Sequence, residues 1–253
     1  MTIQPVGNVR TIADLDCVVA DPTGNAFEPQ AIVVLCHGFG APGTDLVDCC
    51  QTMWELHRGE LGRVRFVFPA APISLDPTGL YDSRAWWPLD MERLNDMIAS
   101  GEFRDLRNDK PEMLDERRAQ ITALIEQLIA ETNLDHSAVV LGGFSQGAML
   151  MTDVALHLST PPGGLIVWSG TLLNEAEWKL AAARQRKFPI FQSHGRYDQI
   201  LPYAAAQWLH ETFVDAGFPV KLTSFDGAHE IPMNAMRGAA ALVATVAQSN
   251  SSH

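Results

Sequence analysis

The stretch "LGGFSQGAM", residues 141–149, places Ser145 between Gly143 and Gly147 directly after an apolar run. Such a run reads as the end of a buried strand, here at Gly142, then a tight turn and the start of a helix. Small residues at 143 and 147 let strand and helix backbones approach each other. A serine on this turn points its hydroxyl out of the carboxyl edge of a sheet, and the N–H of Gln146 lies free at a helix N-terminus. Taken alone, Gly-x-Ser-x-Gly also describes an ordinary glycine turn. Its meaning rests on what surrounds it.

Working outward, five similar runs end in glycine, proline or a polar loop: "AIVVLCHG" at 31–38, "VRFVFPA" at 64–70, "GLIVWSG" at 164–170, "FPIFQSHG" at 188–195 and "VKLTSFDG" at 220–227. Each is short and rich in β-branched or aromatic residues, as strands buried on both faces are. An earlier run, "LDCVVAD" at 15–21, reads as an antiparallel strand. Between the runs, helices are expected over 113–131, 146–158, 203–216 and 233–247. In the first of these, Leu114, Ile121, Leu124, Ile125, Leu128 and Ile129 share one face, and Asp115, Glu116, Arg117 and Arg118 fill the other. Strands alternating with helices predict an α/β fold, a mostly parallel central sheet with helices on both faces, in a single domain over 1–253. Residues 84–112, beginning "RAWWPLD", break the pattern and read as an inserted cap or lid at the ligand-binding edge of the sheet. The polar end "QSNSSH", 248–253, reads as a flexible tail.

Composition narrows the function. The 253 residues carry a formal net charge of −12, which argues against nucleic acid or an anionic membrane as a partner. No stretch approaches the roughly 18 apolar residues of a membrane span. The start, "MTIQPVGNVR", has no apolar core or cleavage site of an export signal. Cys17, Cys36, Cys49 and Cys50 form neither a disulfide framework nor a zinc spacing. A cytoplasmic location, with no metal and no cofactor, is the expectation.

A serine hydroxyl needs a neighbouring base to become a nucleophile. Of eight histidines, His37, His194 and His229 follow strands. The chain order of an elbow serine, then an acid, then a base selects His229, in "DGAHEIP". His37 sits in a glycine turn and His194 lies four residues from Asp198 in one loop, so both read as structural. Asp198, in "SHGRYDQILP", is the expected acid that orients the histidine, with Asp226 as the alternative. The loop "LCHGFGA" after an early strand offers the N–H of Phe39 as a second oxyanion donor beside that of Gln146. Trp86, Trp87 and Leu201 are candidates for the substrate pocket, and Trp168 for core or pocket floor.

Together, "LCHGFG", "GGFSQGAM", "WSG", "SHGRYDQILP" and "DGAHEIP" resemble the carboxylesterase, phospholipase and acyl-protein thioesterase group of serine α/β-hydrolases, from about residue 30 to about 245. The resemblance implies ester or thioester hydrolysis by Ser145, Asp198 and His229. It also implies oxyanion donation by the amides of Phe39 and Gln146, without metal or cofactor. Two segments depart from the group: the longer 85–110 insertion, and "APGTDLVDCC", which lacks the usual Gly-Asp. A small, soluble, apolar ester is the expected substrate. Lysophospholipase or acyl-protein thioesterase activity, and a non-catalytic binding protein on the same fold, stand as alternatives.

Overall fold

In the computed structural model, residues 6–22, 27–79 and 81–250 are described. The first five residues of the chain and residues 251–253 of the tail, His253 included, lie outside them. The chain opens with β1 (Val6–Ile12), β2 (Leu15–Asp21) and β3 (Ala31–Cys36), then α1 (Val47–Leu56) and β4 (Val64–Pro69). A small ribbon follows, β5 (Ile73–Ser74) with β6 (Arg84–Ala85), and then α2 (Met91–Ser100) and α3 (Leu114–Thr132). The second half alternates β7 (Val139–Phe144), α4 (Gln146–His157), β8 (Gly164–Trp168) and α5 (Glu175–Arg184), then β9 (Ile190–Gly195), α6 (Tyr203–Asp215), β10 (Val220–Phe225) and α7 (Met233–Ser249).

Eight strands form one sheet in the order β1-β2-β4-β3-β7-β8-β9-β10. From β4 to β10 all neighbours are parallel; β1 and β2 join antiparallel at the edge. The expected α/β fold and its antiparallel strand at 15–21 are observed. The chain leaves β3 for β4 on one side and returns to β7 on the other. This reversal opens a crevice at the carboxyl ends of β3 and β7, where sheets of this kind hold their ligands.

Alternate side chains of each strand feed opposite faces. Ile32, Val34, Val139, Leu141, Leu165 and Val167 pack under α3–α6. Val33, Leu35, Val140, Ile166 and Trp168 pack under α1 and α7. Trp168 is therefore core, not pocket floor. Residues 248–249 continue α7, so only the last residues of the expected tail fall beyond the helix.

The polar face of α3 needs correcting. Helical spacing puts Arg117 on the solvent side, yet it is only 4% exposed. Its Nε donates to the carbonyl of Trp86 at 3.0 Å, and its other nitrogens reach Gln120 and Glu116. A charge-assisted bond of this kind contributes about 1.5–3 kcal/mol, enough to turn a charged position inward. Periodicity registers a residue's polarity but not the partner that lets it be buried.

The inserted region also divides differently from the expected 84–112. Arg84 and Ala85 are a strand, and Trp86 is fully buried in the body. The cap proper follows, with α2 and the loop to residue 111. Leu94 and Leu106 turn inward. The Arg107 guanidinium lies 3.9 Å from the centre of the Trp208 ring on α6, and Phe103 packs on the same ring. Backbone bonds from Asn174 to Asp109 and from Glu175 to Arg107 tie its far end to α5. Among the described residues, no helix is long and apolar enough to cross a membrane.

Candidate active site

Strand β7 runs through Phe144, two residues beyond the expected end, and Ser145 follows with φ +54° and ψ −118°. A non-glycine residue held there stores about 1–3 kcal/mol of backbone strain. Its surroundings hold it: the Ser145 N–H donates to the Trp168 carbonyl at 2.9 Å, and its carbonyl accepts from Met149 at 3.1 Å. A β-carbon on Gly147 would overlap the carbonyl of Cys36, so α4 approaches β3 this closely only with glycine there. The amide of Gln146, first in α4, has no partner within the helix.

His229 sits in the loop between β10 and α7. Its Nδ1 lies 2.6 Å from Asp198 Oδ2 and donates to it, so in the neutral imidazole Nε2 is the nitrogen that can accept a proton. The other oxygen, Oδ1, accepts from the amides of Ile200 and Leu201 at 2.9 and 2.8 Å. Burial alone would raise the Asp198 pKa. Hydrogen bonds from His194 and His229, the charge of His229 and the Leu201 amide outweigh it, holding the carboxyl well below the usual carboxylate range. The two loops are joined through backbone bonds from Arg196 to Phe225 and from Tyr197 to Gly227. A β-carbon at Gly195 would overlap the Ala228 carbonyl. Asp226, the alternative acid, points outward and pairs with Arg196 at 3.6 Å. The rings of His229 and Phe144 lie 4.7 Å apart. Ser145 and His229 face one cavity, although the hydroxyl makes no hydrogen bond to the imidazole among the described residues. Such bonds commonly tighten only when substrate is seated.

His194 and His37 occupy structural positions. His194 is fully buried, and its Nε2–H donates to the Leu201 carbonyl at 2.7 Å while lying 3.2 Å from Asp198. His37 donates from Nδ1 to the Gly38 carbonyl and accepts at Nε2 from the Ala71 amide at 3.0 Å. Burial pushes its pKa down, and the nearby Arg84 adds to this; the Gly38 bond and Asp45 oppose it. The folded state therefore binds fewer protons at this site than the unfolded chain does. Its contribution to stability is present above the unfolded value of about 6.5 and is lost as pH falls below it. Urea midpoints at about pH 7.5 and 5.5 are expected to fall less in His37→Gln than in the unaltered protein.

The loop carrying Phe39 is clamped against β6. The Gly40 amide donates to the Arg84 carbonyl at 2.9 Å, and the Arg84 amide donates to Ala41 at 3.1 Å. The Trp86 indole donates to the His37 carbonyl at 3.0 Å. A β-carbon on Gly38 would stand 3.4 Å from that of Ser145, so this loop borders the serine directly. The Gln146 side chain adds a role at which the motif does not hint. Its Oε1 accepts from the Trp86 amide and its Nε2 donates to the Trp87 carbonyl, both at 2.9 Å. One residue thus supplies an amide to the serine's surroundings and pins the start of the cap.

These groups open on a cavity of about 870 Å³. Phe39, Trp87, Leu94, Leu106, Met149 and Leu201 supply much of its apolar wall. Of the three pocket candidates, Trp87 and Leu201 line this cavity and Trp86 does not. The Trp86 indole donates to the His37 carbonyl and its backbone amide and carbonyl bond Gln146 and Arg117, so it is fixed in the body behind the wall. The cap contributes Arg104, Asn108, Asp109 and Lys110, a polar set that no motif marks.

Residues 23–247 match the family model described as Phospholipase/Carboxylesterase. Acyl-protein thioesterase 1 of Eremothecium gossypii is 28% identical over 214 residues, covering 83% of this chain and 85% of that protein. Acyl-protein thioesterase 1 homolog 1 of Dictyostelium discoideum is 28% identical, covering 71% and 72%. Among solved structures, esterase PE8 superposes with a TM-score of 0.72 at 23% identity, covering 96% of this chain and all of that one. A carboxylesterase from Mesorhizobium loti superposes at 0.69 and 15% identity, covering 94% and 97%. At these identities the solved structures speak for the fold, and the family match for the chemistry. The chain belongs to the phospholipase/carboxylesterase family of α/β-hydrolases, and it is a hydrolase acting on ester bonds.

Proposed function

We propose that Ser145 is the nucleophile, His229 the general base and Asp198 the acid that orients it, in hydrolysis of a small ester through an acyl-enzyme. The observation that carries this reading is the 2.6 Å bond from His229 to Asp198, in the cavity that Ser145 borders. His229 takes the Ser145 proton as the hydroxyl oxygen attacks the acyl carbonyl. The proton then passes to the leaving alcohol. The amides of Phe39 and Gln146 stabilise the oxyanion, each by roughly 3–4 kcal/mol. Water, deprotonated by His229, releases the acid and regenerates Ser145. The cysteines do not compete as nucleophiles: burial pushes Cys17, Cys49 and Cys50 up to about 12, and Cys36 well above its usual value.

The cap over the cavity favours a substrate small enough to fit beneath it. The names of the relatives favour acyl-protein thioesterase activity as the second reading. Hydrolysis of short esters at rates well above those for an S-acylated peptide supports the first, and the reverse order supports the second. We assign the protein to a reducing cytoplasm on its four free thiols. An alkyl fluorophosphonate tests the catalytic assignment. A mass gain on Ser145 is expected, and a folded sample left unlabelled favours the non-catalytic binding protein.

A further inference from the structure

Arg104 follows α2 in the cap and lines the wall of the cavity. It is half-buried and, among the described residues, makes no ion pair or hydrogen bond. Other described arginines without an ion pair are placed differently. Arg58, Arg93, Arg184, Arg186 and Arg237 are exposed, and Arg84 donates to the Ala71 carbonyl at 3.0 Å. Removing a guanidinium from water without a partner is unfavourable. Burial lowers its pKa and the Asp109 carboxylate opposes this, yet Asp109 lies beyond ion-pair distance. The other cation of the cavity, Lys110, is engaged by Asp115 at 2.9 Å and Glu177 at 3.1 Å. Asp45 faces the cavity from the loop after β3. Trp87, Leu94 and Leu106 line the same cavity and keep the local dielectric low, which strengthens any charge pair made there. The net charge of −12 does not cancel this cation, because surface charges are screened beyond about 8–10 Å.

We propose that the substrate is an ester carrying an anionic oxygen group, a carboxylate or a phosphate, which Arg104 binds while Ser145 engages the ester carbonyl. The proposal rests on Ser145 as the nucleophile. The planar guanidinium matches either anion with two parallel hydrogen bonds.

The test compares ethyl heptanoate with monoethyl adipate, hexanoyloxyacetate and 2-(hexanoyloxy)ethyl phosphate, followed by acid release. At least one anionic ester is expected to exceed the neutral one in kcat/KM by roughly ten- to hundredfold. The member that does so tells which anion, and which side of the ester, is recognised. The ratio is expected to collapse in Arg104→Gln and to survive in part in Arg104→Lys. Near-equal rates for all four esters, or an unchanged ratio in Arg104→Gln, overturn the proposal; an unchanged ratio with lowered Tm marks Arg104 as a partner for Asp109. If no ester is cleaved, the nucleophile assignment fails instead. Calorimetry of Ser145→Ala with each of the three anionic esters then decides: heat that disappears on adding Arg104→Gln supports the anion site, and no heat with any of them overturns it.

Discussion

Replacing Ser145 by alanine is expected to lower kcat/KM for a simple ester by about 10⁵- to 10⁶-fold. That corresponds to roughly 7–8 kcal/mol of transition-state stabilisation. No cysteine lines the cavity to replace the hydroxyl, and burial raises the pKa of all four. Residual catalysis over water should come from the amides of Phe39 and Gln146, which alanine leaves in place. The substitution removes one oxygen and keeps the β-carbon, and with it the backbone strain at this residue, so Tm is expected to hold. Steady-state kinetics with a short ester, together with a thermal melt, checks both. Retained hydrolysis in a folded variant would sink the assignment.

Asp198→Asn is expected to cost about 10⁴-fold in kcat, chiefly by reversing the histidine tautomer. Asp198 Oδ1 already accepts from Ile200 and Leu201, so an asparagine would keep its oxygen there and turn its NH₂ toward His229. The imidazole would then have to accept at Nδ1 and carry its proton on Nε2, where it cannot take one from Ser145. The same NH₂ would confront the Nε2–H of His194, now donating to Leu201, so Tm should fall as well. An effect on kcat with little change in KM is the expected signature, since the acid touches no substrate. Stability should respond to acid in the same region. The depressed Asp198 pKa contributes stability that is complete above the unfolded value of about 3.9 and is lost as pH falls further.

Much of the site is legible in the sequence. Ser145, Asp198 and His229 each follow an apolar run, and strand ends on one edge of a parallel sheet converge. Their order along the chain therefore constrains their meeting in space. The main strands are visible for the same reason: most are short and buried on both faces. Helices α1 and α5 escape the pattern because their buried residues are few: Cys50, Met53 and Trp54 in one, Trp178 and Ala182 in the other. Strand β1 escapes it because it is exposed along most of its length.

Other features depend on contacts between residues far apart in the chain. Trp86 and Trp87 are neighbours of equal apolarity, yet one is a strut and the other a pocket wall. The difference is that the Trp86 indole turns inward to the His37 carbonyl, while Gln146 and Arg117 hold its backbone amide and carbonyl. Arg117 and Arg118 are adjacent residues of the same type, but only the first reaches a buried carbonyl. Arg104 lies in the stretch that reads as a cap or lid, where no motif singles it out, and only the folding of that stretch brings it to the cavity. Local pattern carries apolar periodicity and turn chemistry, which act over a few residues. Hydrogen bonds and charge pairs are short-ranged in space but indifferent to separation in sequence. The chain alone therefore specified the sheet, the elbow and the order of Ser145, Asp198 and His229 along it, while the packing of residues 86–111 decided which groups line the cavity.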